Sequence, residues 1–255
     1  DNTFDRAVVI RGASGDIKAG PSNFRKVYSS LSAPVSDASP NDIVELEEAT
    51  GTYPGGLTID KPLTLRGDAS PSPSLTSKAT ASCTKSAVID ASGTSQGISL
   101  TGSGVTLANL CVKNADNHNL YTDATISDLT LTGVEALNAG DYSLEVHNNS
   151  TLTNLTVTDS RFAESSSGIR IRGNLSTAQI SGTAFENNGI GFHTTQGQDA
   201  TEAPDPSDIT SATEVTIESS TFTGNTNKSI YAEKLSDSVF DDISVTGGEV
   251  DINLK

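Results

Sequence analysis

The sequence predicts an all-β chain wound as a parallel β-helix, a solenoid with three short strands per turn. Three observations carry that expectation. An aliphatic-x-aliphatic strand recurs with first members Ile98, Leu120, Leu144, Ile169, Ile190, Ile230 and Val250, at steps of 22, 24, 25, 21, 40 and 20 residues. Such fixed-period self-similarity marks stacked repeats. A second apolar column runs in phase through Val112, Leu131, Val157, Ile180, Ile217 and Val245, and its one long step falls at the same place. Finally, the 255 residues include no Trp, no Met and only 5% aromatics, so the core is built from small aliphatic side chains.

The elements follow in chain order. Residues 1–38 precede the repeats. Arg6-Ala7-Val8-Val9-Ile10-Arg11 reads as a short strand free to pair, and Phe24, Val27, Tyr28 and Leu31 fall at i, i+3, i+4 and i+7, the spacing of an amphipathic helix over 21–31. From residue 39, Val44-x-Leu46, Leu57-x-Ile59 and Leu63-x-Leu65 open the coil, which runs to residue 255. An excursion rich in Ser, Thr and Pro, at about 69–86, carries Cys83. Cys83 and Cys111 are the only cysteines; they suit one disulfide of an oxidising compartment or two idle thiols. A bond would pin the excursion to the coil. The stretch 196–211, full of turn formers and acids, is one insertion that explains the long step in both columns. Phe162, Phe185 and Phe222, with Val250 in the last turn, lie five residues beyond the second column. Asn138, Asn187, Asn188 and Asn225 follow apolar positions, where stacked turns form side-chain amide ladders.

The segment SPNDIVELEEATGTYPGGLTIDKPLTLRGD (Ser39 to Asp68) resembles the opening turn of the pectin-lyase-like right-handed β-helix superfamily. The likeness covers 39–255 at the level of architecture. It implies a right-handed coil, as the general crossover rule does, a helix covering the first turn, and, in the enzymes of the group, a saccharide cleft on the first sheet. Activity stays open, because lyases, hydrolases, esterases, adhesins and phage spikes share the fold. The paired-Asp plus Gly-His-Gly pattern of the hydrolases is absent, as are the Gln-Asp-Thr and Gly-Arg-Pro-Trp of the esterases and the Arg-x-Pro-x-x-Arg of pectate lyases. Gly51-Thr52-Tyr53 only echoes an esterase motif.

Inward positions of a solenoid are set by packing, so function falls on outward columns. Alternation places Ser99, Tyr121, Glu145, Arg170, Gly191 and Tyr231 in one such column. The next holds Thr101, Asp123, His147, Arg172, His193 and Glu233. As a glycan site, Arg170 and Arg172 pair with uronate or sulfate, Tyr121 and Tyr231 stack on sugar rings beside Glu233, and Glu145, His147 or His193 move protons. A lyase would take His147 or Arg172 as its base and Arg170 to neutralise the substrate carboxylate. The competing expectation is a solvated sheet, with Glu145 paired to Arg170 and His147 beside Arg172. No calcium-loop motif occurs, so no cofactor is expected, with calcium left open by the abundance of Asp and Glu.

With 16 Lys+Arg against 32 Asp+Glu, the net charge is −16, which argues against nucleic acid and anionic membranes as partners. No apolar run approaches the roughly 18 residues of a membrane span. The chain opens at Asp1, so it reads as a secreted protein, extracellular or at the cell surface, with its signal peptide removed. It stops in mid-turn, which sets Val250, Ile252 and Leu254 on an open end, with Val8 and Ile10 at the other. These residues predict head-to-tail contact between copies of the chain, as in the subunit of a surface filament, sheath or adhesin. The alternative is a carbohydrate-active enzyme or a non-catalytic glycan-binding module on the His/Arg/Tyr face.

Overall fold

In a computed structural model, residues 8–11, 31–46, 52–67, 82–148, 150–194 and 211–253 are described, with side chains for all except 8–11 and 251–253. The predicted helix 21–31 lies outside these residues but for Leu31, as does the insertion 196–211 but for Ser211; Leu254 lies outside them too. A six-residue helix, α1 (Ser32–Asp37), follows Leu31 directly. Leu31, Val35 and Ala38 join the core, and α1 packs against the strand Leu57–Ile59.

From there the chain is a right-handed parallel β-helix. The first sheet stacks Leu57–Ile59, Gln96–Leu100, His118–Thr122, Tyr142–Val146, Ser167–Ile171, Ile190–Thr194, Lys228–Glu233 and Glu249–Asn253. The second sheet runs through Asp42–Leu46, Leu63–Gly67, Val105–Ala108, Ile126–Thr132, Thr151–Thr158, Asn174–Ser181 and Ser211–Glu218. The third runs from Tyr53–Pro54 through Glu135–Leu137 and Arg161–Ala163 to Ser244–Thr246.

Two corners turn the chain with a single left-handed residue each, except in the last turn, where Gly247 and Gly248 are both left-handed. Between the second and third sheets stand Asn109, Gly133, Asp159, Gly182, Ser219 and Asp242, with φ between 46° and 60°. After the third sheet stand Asn114, Asn138, Glu164, Asn187, Gly224 and Gly247, with φ between 53° and 83°. Gly, Asn and Asp tolerate this conformation best, which is why they recur at fixed spacing. The corner amides form the expected ladder on the outside, where Asn138 Nδ2 donates to Asn114 Oδ1 at 2.8 Å. Asn188 and Asn225 form a separate, buried one: Asn188 Nδ2 donates to the Phe162 carbonyl at 3.0 Å, and Asn225 Nδ2 to that of Phe185 at 3.2 Å.

The core is a bundle of columns. Leu65, Leu107, Leu131, Val157, Ile180, Ile217 and Phe240 stack in the second sheet. Val112 and Val245, expected in that column, belong to the third sheet, one turn before Ala136 and one turn after Phe222 respectively. The reason is the one-residue corner: inward positions lie on both of its sides, five residues apart, so a slip of five keeps the apolar pattern. By the same slip Val250 lies in the first sheet and Val245 continues the phenylalanine column. Phe162, Phe185 and Phe222 stack with ring centroids 5.6 and 4.6 Å apart.

Cys83 and Cys111 form a disulfide, and next to it Thr84 donates through both its N–H and its hydroxyl to the Glu135 carboxylate, each at 2.6 Å. The strand Val8–Arg11, expected to be free to pair with something, is paired antiparallel with Asp42–Leu46 of its own chain. Its backbone donors and acceptors find partners on the edge of the second sheet, which satisfies both segments. In the last described turn Val239, Val245 and Val250 are exposed.

Phe185 contacts an aromatic ring above and below, so Phe185→Ala removes one member of a continuous stack. The expected loss is about 3–5 kcal/mol of stability, read from the midpoint of urea unfolding with an unchanged slope.

Candidate functional site

On the outer face of the first sheet, strand register brings together side chains far apart in sequence. Tyr121, Glu145, Arg170, His193 and Tyr231 are register partners in successive turns, and adjacent turns lie about 4.8 Å apart. His118 and Tyr142 are paired in a neighbouring row that continues to Ser167. His147, Arg172 and Glu233 sit two residues beyond the first row, at the strand ends.

Two placements differ from the sequence expectation. His193 stands on Arg170, in the column assigned to Gly191, because Phe192 and not Ile190 is the core partner of Ile169. Gly191 faces inward, where a Cβ would come within 2.7 Å of the Phe222 ring. The spacing did hold a signal: seven residues separate Phe162 from Ile169 and Phe185 from Phe192 alike. The second difference is His118 with Tyr142, which alternation hides. Asn119 and Leu120 are consecutive inward residues, since the Asn119 amide turns into the core to donate to the Leu137 carbonyl at 2.9 Å. Alternation restarts at that point and sends His118 outward.

Glu145 is the hub. It is 1% exposed although it faces outward, because three cationic or imidazole groups close over it. His118 Nε2 lies 2.8 Å from Oε2, while His147 Nδ1 and Arg172 Nη1 lie 3.2 and 3.3 Å from Oε1. The expected pair of Glu145 with Arg170 does not form. Instead, Arg170 turns to the opposite side, with Nη1 2.6 Å from Nδ1 and 3.0 Å from Nε2 of His193, and its guanidinium stands 5.4 Å from the centre of the Tyr142 ring. Ser167 Oγ is 3.1 Å from His193 Nδ1. Arg170 and His193 are 1% and 2% exposed, so the face is a closed polar network and not a solvated sheet. Tyr231 stands beside His193, with ring centroids 5.4 Å apart, and donates its hydroxyl to Glu233 Oε1 at 2.8 Å.

The electrostatics follow from that packing. Burial disfavours the Glu145 carboxylate, but the hydrogen bonds and charges of His118 and His147 outweigh it and bring its pKa down to about 2. Glu145 is therefore ionised and accepts only, so His118 Nε2 and His147 Nδ1 each carry the hydrogen. Burial, then the charges of Asp123 and Glu145, push the Tyr121 phenol up to about 12. Burial likewise raises Tyr142. Burial and the adjacent Arg170 hold His193 well below the usual histidine value, so its ring is uncharged at neutral pH. The side chain of His147 is the accessible imidazole, 37% exposed against 11% for His118, with its Nε2 left to accept a proton and Tyr121 alongside, ring centroids 5.6 Å apart. Among the described residues the one close group of three metal-type donors is Cys83, Cys111 and Glu135, and its sulfurs are spent in the disulfide.

The folded value of about 2 for Glu145 lies below the ordinary 4.5. The stability it contributes is thus present above about pH 5 and lost as pH falls through that window toward 2, a difference of roughly 3 kcal/mol. Urea unfolding followed from pH 6 to pH 2 is expected to show this acid-dependent loss in the wild type and a flatter profile, from a lower starting stability, in Glu145→Gln.

Comparison with known proteins agrees on the architecture. No protein-family model matches the chain, and no curated protein is significantly similar to it in sequence. Among solved structures, a pectate lyase superposes with a TM-score of 0.50 at 13% identity, over 96% of this chain and 76% of the other. An alginate lyase from a Paenibacillus strain gives 0.47 at 15% identity, over 87% and 96% of the two chains, and a pectin methylesterase from Aspergillus niger gives 0.41 at 16%, over 86% and 82%. The chain therefore has the pectin-lyase-like parallel β-helix fold.

Proposed function

We propose that this chain cleaves an acidic polysaccharide by β-elimination on the outer face of its first sheet. The observation that carries the reading is the Glu145–His147 pair: an ionised, buried carboxylate holding an accessible imidazole in the state that leaves Nε2 to act as base. Arg172, bonded to the same carboxylate, supplies the guanidinium group that would hold a uronate carboxylate and raise the acidity of the carbon beside it. Tyr121 keeps its proton across the neutral range and faces the His147 ring, which suits a proton donor to the departing sugar oxygen.

In this reading His147 Nε2 takes the proton from the carbon next to the carboxylate, and the electron pair forms the new carbon–carbon double bond. The glycosidic carbon–oxygen bond breaks, and the leaving oxygen takes the Tyr121 proton. Exchange with water restores both residues. The disulfide favours an extracellular setting, and the fold is one on which a pectate lyase is built. A filament subunit has less behind it, because the strand Val8–Arg11 is already paired within the chain.

The test is a screen of polygalacturonate, alginate and glycosaminoglycans for the ultraviolet absorbance of an unsaturated product. Turnover of at least one uronate polymer is expected, with kcat lowered about 10²–10⁴-fold by His147→Ala and KM raised chiefly by Arg172→Ala. No unsaturated product from any of them sinks the lyase; retained affinity on a glycan array would then identify a non-catalytic binding module.

A further inference from the structure

His118 has no part in the steps above, yet it is the most tightly held imidazole on the face. Its ring lies parallel between two tyrosines, 5.2 Å from Tyr121 at 10° and 5.3 Å from Tyr142 at 7°. Its Nε2 makes the shortest bond to Glu145, 2.8 Å to Oε2, against 3.2 Å for His147 to Oε1. Its Nδ1 is buried with no hydrogen-bond partner. A bare nitrogen lone pair tolerates that position better than an N–H would, because an unsatisfied buried donor, charged above all, costs more than an unused acceptor. Nε2 is therefore the nitrogen on which the site holds the hydrogen.

We infer that His118 is a positioning residue: by fixing one oxygen of Glu145, it makes the other hold His147 in the Nδ1–H tautomer. Two tyrosine faces prevent the His118 ring from tilting, so its N–H points at Oε2 and stops the carboxyl group from rotating. Oε1 is then presented to His147 and Arg172 together. Glu145 thus carries two histidines of opposite tautomer, His118 with hydrogen on Nε2 and His147 with hydrogen on Nδ1. The inference rests on the lyase reading only for its kinetic consequence.

The experiment is long-range proton–nitrogen NMR of the imidazole nitrogens in the full chain, at a pH where the histidines are neutral. Wild type, His118→Gln and His118→Phe are compared. Glutamine keeps a donor near the Nε2 position but not the stack; phenylalanine keeps the stack but not the donor. Opposite tautomers for His118 and His147 are expected in the wild type, with the His147 form retained in His118→Gln. In His118→Phe, His147 is expected to shift toward Nε2–H, with kcat down about 10-fold or more at little change in KM, the scale on which a group orienting a functional histidine acts. If His118→Phe does not fold, judged by near-ultraviolet circular dichroism, His118→Asn takes its place, since its amide is too short to reach Oε2. An unchanged His147 tautomer without the donor, or an Nε2–H tautomer of His147 in the wild type, overturns the proposal. If no uronate polymer is a substrate, the tautomers alone decide the role of His118, and only the lyase reading falls.

Discussion

Everything in this molecule depends on each turn repeating the backbone register of the turn before it. Three parallel hydrogen-bond ladders impose that register, and single left-handed residues at the corners preserve it. An Asn, Asp or Gly misplaced by one residue would rotate the following strand and send its core side chains to the surface. The buried columns then lock what the ladders align. Phe162, Phe185 and Phe222 stack only because Gly168 and Gly191 leave room beside their rings. Register and packing are two statements of one constraint.

The same constraint assembles the polar face. Glu145 and Arg172 are 27 residues apart in the chain, and His118 lies 27 residues before Glu145 on the other side, yet stacking makes all three neighbours. A flat surface would leave such charges wet and weakly coupled. Here the rows are close enough that two histidines and an arginine cover one carboxylate, and a buried carboxylate with three donors is both ionised and immobile. Removing any donor leaves a buried acceptor short of a partner, so the network holds its members in one arrangement. Rigidity of this kind is what a proton-transfer site requires, because the base must meet the substrate with its tautomer and orientation already set.

Much of this was legible in the amino-acid sequence. The aliphatic periods revealed the solenoid, and outward alternation picked Tyr121, Glu145, Arg170 and Tyr231 as members of one row. The failures share a physical origin. Alternation assumes an uninterrupted strand, whereas Asn119 turns into the core and resets the phase, which concealed His118. A one-residue corner with apolar side chains on both flanks is degenerate to a five-residue slip, which misassigned Val112 and Val245. His193 was displaced because Ile190 is as apolar as Phe192, and only the distance from the phenylalanine column separates them. Burial was illegible altogether: nothing in the composition of an outward column says that its charges will cover one another.

A net charge of −16 looks at odds with the anionic substrate proposed above, and the scale of the forces removes the conflict. Carboxylates spread over the solenoid act across tens of ångströms, where salt at about 0.1 M screens beyond roughly 10 Å. A guanidinium that meets a uronate at hydrogen-bonding distance in a partly dehydrated row is screened far less. Arg172 already shares its charge with Glu145, so it offers the substrate less than a whole cation. Elimination, however, needs charge stabilised chiefly in the transition state, where negative charge spreads from the carbon being deprotonated into the carboxylate. In the proposed lyase, an arginine drawn from Glu145 toward the substrate as that charge grows would favour the transition state over the bound ground state.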